Sequence, residues 1–149
     1  MATCSAPGKC APCEGLDNSA LLSTEVVQER LKENPLWTLV EATPESSSAD
    51  ADNGKTQKPM TLSRKFTAKN FQAALDSINA MGAIAEEQGH HPDFHLTSYR
   101  NVEVTLWTHS LGGITENDFT LAQLLDQVPV TYSPKWLREN PAAQQKEAS

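Results

Sequence analysis

The sequence predicts an α+β domain with elements in the order α-β-β-α-β-β-α, folded as a four-stranded antiparallel sheet with three helices packed on one face. Three observations lead there. Apolar residues recur at helical spacing in three separate segments. "FHLTSYRNVEVTLWTH", Phe94 to His109, holds two runs of alternating residues around a polar turn at Arg100 and Asn101, the pattern of an antiparallel hairpin. Each helix carries one apolar stripe and the last hairpin one apolar face, so a single sheet covered on one side is the economical packing. The other face must then be polar or covered by a further subunit.

The elements follow in order. Ser23 can cap a first helix, with Leu22 and Val27 placed as a hydrophobic staple. Leu31 continues its stripe, and Asn34-Pro35 stops it. "LWTLVEA", Leu36 to Ala42, reads as a strand. Residues 43–57, rich in Ser, Asp and Gly, are too polar to pack and read as an insertion between two strands. "PMTLSRKFT", Pro59 to Thr67, resumes as a strand with Met60, Leu62, Arg64 and Phe66 in phase. The strongest helix runs from Ala68 to Gln88 on a stripe of Phe71, Leu75, Ile78, Met81 and Ala85, with Gly89 placed to end it. In the last hairpin Val102, Val104 and Leu106 face one way, and Glu103, Thr105, Trp107 and His109 the other. Gly112-Gly113 closes that strand. Thr115-x-x-Asp118 opens a final helix with the stripe Leu121, Leu124, Leu125 and Val128. The domain is thus expected over residues 19–130, between a Cys-containing head (1–18) and a weakly patterned tail (131–149).

Composition narrows the function classes. The chain has 149 residues, and 38% of them are hydrophobic, enough for one modest core. A net charge of −7 argues against direct nucleic-acid binding. There is no apolar run of membrane-spanning length, and the N-terminal residues read neither as a signal peptide nor as a transit peptide. The expected location is cytoplasmic, with organellar targeting left open. Cys4, Cys10 and Cys13 all lie in the head; Cys10-x-x-Cys13 is half of a zinc-ribbon pattern with no second half, and no metal is expected.

Chemistry concentrates in "EEQGHHPDFH", Glu86 to His95, which holds three of the four histidines. His90 and His91 are adjacent and directly follow a helix C-terminus, whose unpaired carbonyls attract a protonated imidazole. Helix capping, metal ligation and proton transfer are the available readings. Adjacent residues rarely both reach one ion, and zinc pairs favour spacings such as i, i+4. Proton transfer near neutral pH suits imidazole. An antiparallel hairpin would return His109 toward the start of "HPDFH".

The run Glu86-x-x-x-His90-His91-Pro92, followed by Tyr99, Thr108-His109 and Asp118, resembles the pterin-4a-carbinolamine dehydratase family, also called 4a-hydroxytetrahydrobiopterin dehydratase. "LWTHSLGGITENDF" is similar to its strand-to-helix segment, and the resemblance covers about Ser19 to Val130. Gly89 stands where the animal members carry Asp. The resemblance implies a hydro-lyase in pterin recycling. It would convert a 4a-hydroxy-tetrahydropterin to quinonoid dihydropterin and water, with the pterin as substrate and no nicotinamide, flavin or metal cofactor. It implies His90, His91 and His109 as the acid–base trio and Trp107, Thr108 and Ser110 as pocket neighbours. Glu86 is expected to orient His90, Asp118 to cap its helix with a secondary role at the site, Tyr99 to pack across the hairpin, and His95 to play no part. Homo-oligomers, tetramer or dimer, are implied too. An alternative, taken from animal members, is a non-catalytic binding module that serves as dimerisation cofactor of a transcription factor.

Overall fold

The computed structural model describes residues 18–40 and 60–147. The head cysteines Cys4, Cys10 and Cys13 and the insertion at 43–57 lie outside the described residues. The elements are α1 (Thr24–Leu31), β1 (Thr38–Val40), β2 (Thr61–Thr67), α2 (Phe71–Gln88), β3 (Asp93–Thr97), β4 (Asn101–Leu106), α3 (Glu116–Asp126), α4 (Pro134–Glu139) and α5 (Pro141–Glu147). Among the described residues the four strands form one open antiparallel sheet in the order β1-β2-β4-β3.

Alternation decides which face is buried. Val102, Val104 and Leu106 of β4, with Leu62 and Phe66 of β2, form the buried floor. Val27 of α1, Ala74, Met81 and Ala85 of α2, and Phe119, Leu121, Ala122 and Leu125 of α3 join them in one core cluster. Ser23 caps α1 through its side chain, and Asn70 caps α2 by accepting the Ala73 N–H at 2.8 Å. The α2 stripe is rotated from the expected one. Its buried side is Ala74, Ser77, Met81 and Ala85, whereas Phe71 is 50% exposed and Leu75 and Ile78 are only half-buried.

Other boundaries moved for local reasons. β1 is three residues long; the preceding Trp37 is buried at 3% exposure and donates its indole N–H to Asp126 at 2.9 Å. Glu41 and Ala42 lie outside the described residues. α1 ends at Leu31, and Asn34 turns back to donate to the Arg30 carbonyl.

The segment after Val130, expected as a weakly patterned tail, forms α4 and α5 and docks on the domain. Tyr132 bridges to Ala68 in antiparallel fashion, extending the sheet edge that short β1 leaves open. Its ring meets Phe66 edge-on and stacks on Trp136, and its hydroxyl accepts from Arg64 at 2.6 Å. Arg64, 2% exposed, also pairs with Asp126 at 3.1 Å, so one guanidinium ties β2, α3 and this segment together. The second sheet face is therefore partly covered. Ser63 points to it yet is 1% exposed, sharing a cavity wall with Trp136 and Ala143. The rest of that face is polar: Lys65, Thr67, His95, Thr97, Asn101 and Glu103.

Candidate active site

Two turns bring the histidines together. Gly89 ends α2 with φ +66°, a left-handed conformation natural to glycine. The chain then enters β3, which pairs with β4 so that Asp93 faces Thr105. Extending that register sets His91 beside Trp107 and His90 beside Thr108. Successive residues of extended chain point to opposite sides, so the adjacent imidazoles part: His90 turns inward and His91 outward. After β4, Gly112 (φ +68°) allows the tight return in which Thr108 bridges Gly113 before α3 begins.

The inward group is closed and fully bonded. His90 is 5% exposed, and its Nε2 lies 2.6 Å from Asp118 Oδ1. The other oxygen, Oδ2, accepts from the Thr108 hydroxyl and from the Thr115 backbone N–H, each at 2.9 Å. The Thr108 and Thr115 hydroxyls are themselves 2.9 Å apart. The Thr115 contact is the reciprocal half of a capping box, so Asp118 both starts α3 and anchors His90. A carboxylate with no exposed surface is tolerable only with such partners.

The outward group lies at the end of β3 and β4, on the polar side of the sheet. His91 Nε2 is 2.9 Å from Glu86 Oε2, one turn back on α2. Asp93 Oδ2 accepts the Trp107 indole N–H at 3.2 Å and sits 3.9 Å from His109 Nε2. The Trp107 and His109 rings are 4.2 Å apart at 70°. Two solvent-accessible imidazoles, each beside a carboxylate, and one indole thus occupy one surface. Such a set can pass protons in both directions and offer an aromatic face to a flat ligand.

Several expectations change. Glu86 orients His91, not His90, because the turn at Gly89 swings His90 into the interior. Thr108, expected as a pocket neighbour, is 1% exposed, and Asp118, expected first as a helix cap, does cap α3 and has no exposed surface. His90 is bonded to Asp118 in the same buried group. Ser110 is exposed beside His109. Tyr99 does not pack across the hairpin: it is 58% exposed at the turn, with φ +57° and the Arg100 guanidinium over its ring. His95 lies farther along β3 in a cavity of about 390 Å³ floored by Lys65 and Glu103. Asp93 stands at the site without being among the expected site residues. It shares the two-residue phase of His91 and His95, the one signal in the sequence that puts it on their face. Among the described residues, no group of three or more His, Cys, Asp or Glu side chains is arranged to hold a metal ion.

The comparisons with known proteins agree with this fold. The family profile described as Pterin 4 alpha carbinolamine dehydratase matches residues 20–128. The chain is 36% identical over 122 residues to the mitochondrial pterin-4-alpha-carbinolamine dehydratase 2 of Arabidopsis thaliana, covering 82% of this chain and 57% of that protein. It is 42% identical over 113 residues to a Chlorobaculum tepidum protein assigned the same dehydratase name, covering 76% and 86% respectively. The crystal structure of a Brucella melitensis protein titled transcriptional coactivator/pterin dehydratase superposes with a TM-score of 0.55 at 26% identity, over 71% of this chain and 95% of that one. The profile match spans the sheet, α1 to α3 and both histidine groups, and the chain belongs to the pterin-4a-carbinolamine dehydratase family.

Proposed function

We propose that the protein is a hydro-lyase that dehydrates 4a-hydroxy-tetrahydropterins by histidine acid–base catalysis, as a recycling step for a pterin cofactor. The observation that carries this reading is the outward pair, His91 and His109, each beside its own carboxylate, with the Trp107 indole against His109 and opposite His91 in the extended β3–β4 register. Hydroxide leaves poorly, so the C4a hydroxyl takes a proton and departs as water. The lone pair of the adjacent ring nitrogen forms the new C=N bond, and the proton on that nitrogen passes to a base. No electrons are gained or lost overall, so two imidazoles are sufficient and neither metal nor redox cofactor is needed. Each positioned proton transfer supplies roughly 10²- to 10⁴-fold. Trp107 gives the pterin ring a stacking surface, Glu86 and Ser110 border it, and His90, Thr108 and Asp118 fix the backbone that carries His91 and His109.

The protein works as a closed homo-oligomer, tetramer or dimer. Edge strand β3 is only half-buried on its apolar side, and Phe71, Leu75 and Ile78 form an incompletely covered ridge on α2. No described helix is long and apolar enough to cross a membrane. The Arabidopsis relative carries a mitochondrial name; a fluorescent fusion of the full chain tests location here, and a cytoplasmic signal is expected. A dehydration assay on a chemically generated 4a-hydroxy-tetrahydropterin tests the activity. It also separates this reading from the dimerisation-cofactor alternative; the Brucella melitensis protein is described as a transcriptional coactivator as well as a pterin dehydratase.

A further inference from the structure

We infer that Asp93 is a positioning residue for His109: it holds the imidazole with its Nε2 edge turned toward the carboxylate and its Nδ1 edge turned outward to the substrate. The inference rests on the dehydratase reading for its catalytic consequence and on geometry for its structural one. A single oxygen, Asp93 Oδ2, serves two neighbours, accepting the Trp107 indole N–H at 3.2 Å and standing 3.9 Å from His109 Nε2. The two rings also touch each other, 4.2 Å between centroids at 70°. Carboxylate, indole and imidazole therefore form a closed triangle, in which fixing any two restricts the third. Asp93 begins β3, and its backbone is held by pairing with Thr105, so the carboxylate projects from a rigid element. His109 follows β4 in the turn that Thr108 closes, through its bridge to Gly113 and its carbonyl, which accepts the Leu111 and Gly112 N–H groups. The carboxylate on the strand thus orients the ring on the turn. At 3.9 Å the contact acts through charge, or through one bridging water. It favours the rotation of the ring that turns an Nε2–H toward the carboxylate. A carboxylate behind a catalytic imidazole acts in this way in the Ser-His-Asp triad.

Asp93→Asn isolates the charge. The Asn carbonyl oxygen can still accept the Trp107 N–H, so the aromatic platform stays in place while the anion facing His109 is lost. The expected result is a kcat lower by about tenfold, a fraction of what one positioned proton transfer supplies, with KM within about twofold and an unchanged melting temperature. Asp93→Glu, which keeps the charge, should recover most of kcat. A second readout does not depend on turnover. In proton NMR spectra the His109 ring signals of the wild type should be displaced by the indole ring current; they should move toward unstructured values in Asp93→Asn and return in Asp93→Glu. Unchanged kcat in Asp93→Asn, or His109 signals identical in wild type and Asp93→Asn, overturns the inference. If the wild type itself fails to dehydrate the substrate, the functional reading falls, and the NMR comparison alone decides whether Asp93 holds the ring.

Discussion

Removing the Asp118 carboxylate should unfold the site from behind and cost stability well before any question of turnover arises. The side chain has no exposed surface and accepts three hydrogen bonds, from His90 at 2.6 Å and from Thr108 and the Thr115 N–H at 2.9 Å. Asp118→Ala leaves those donors buried without an acceptor and removes the N-terminal anchor of α3. Unsatisfied buried donors cost about 1–3 kcal/mol each, and breaking a buried pair on one side about 3–5 kcal/mol in total. Because the three donors share one carboxylate their costs overlap, and about 4 kcal/mol is the working figure, a large share of the roughly 5–15 kcal/mol that stabilises a domain. For a chain of this size that corresponds to a melting point lower by roughly 10 °C. Thermal unfolding followed by circular dichroism, with urea titration read by tryptophan fluorescence, measures it. His90→Ala should show much of the same loss, and the double variant less than the sum. His109→Ala, on the exposed side, should stay within about 0.5 kcal/mol of wild type. An Asp118→Ala protein melting within about 2 °C of wild type would refute the division into a buried anchor and an exposed working surface.

Four further outcomes are expected. His91→Ala and His109→Ala should each lower kcat by at least about tenfold in folded protein, while His95→Ala, on the same face but in a separate cavity, stays near wild type; steady-state kinetics on the three variants decides it. Protein purified without a His tag and treated with chelator should keep full dehydration activity, and loss that zinc restores would point to a metal mechanism. Truncation after Val130 should destabilise the domain, because it strips Tyr132 from Phe66, removes Trp136 with it and takes away a partner of buried Arg64; a melting curve identical to wild type would show that α4 and α5 are dispensable. Sedimentation equilibrium at micromolar concentration should find a tetramer or dimer, and a fully active single species near 16 kDa would contradict that expectation.

What the sequence made legible, and what it hid, follows from the range of the interactions involved. The α-β-β-α-β-β-α order could be read because helical and strand periodicities are local, and the caps at Ser23 and Thr115 are set by residues within one turn. The histidine pair was visible as a cluster, but its division was not. Whether His90 or His91 faces the core depends on the left-handed turn at Gly89 and on the β3–β4 register, neither of which periodicity reports. Glu86 was accordingly matched to the wrong imidazole. Asp93 is not among the expected site residues because its partners, Trp107 and His109, are 14 and 16 positions away and meet it only across the hairpin. Met81 and Ala85 of the expected α2 stripe are buried, but the buried side also takes in Ala74 and Ser77 and leaves Phe71 exposed, a rotation about the helix axis that helical spacing alone does not fix. Helices α4 and α5 span six and seven residues, too short for a repeating stripe. What fixes them is tertiary: Tyr132 against Arg64 and Phe66, and Trp136 against Tyr132.

The most direct test is the dehydration of chemically generated 4a-hydroxy-tetrahydropterin, followed by ultraviolet absorbance as the quinonoid dihydropterin forms, in metal-free buffer. The wild type should accelerate the step well above the spontaneous rate, and the double variant His91→Ala/His109→Ala, melting at the wild-type temperature, should return to the spontaneous rate. Wild-type protein that gives no acceleration, or a folded double variant that keeps wild-type turnover, would contradict the assignment of acid–base chemistry to these two histidines.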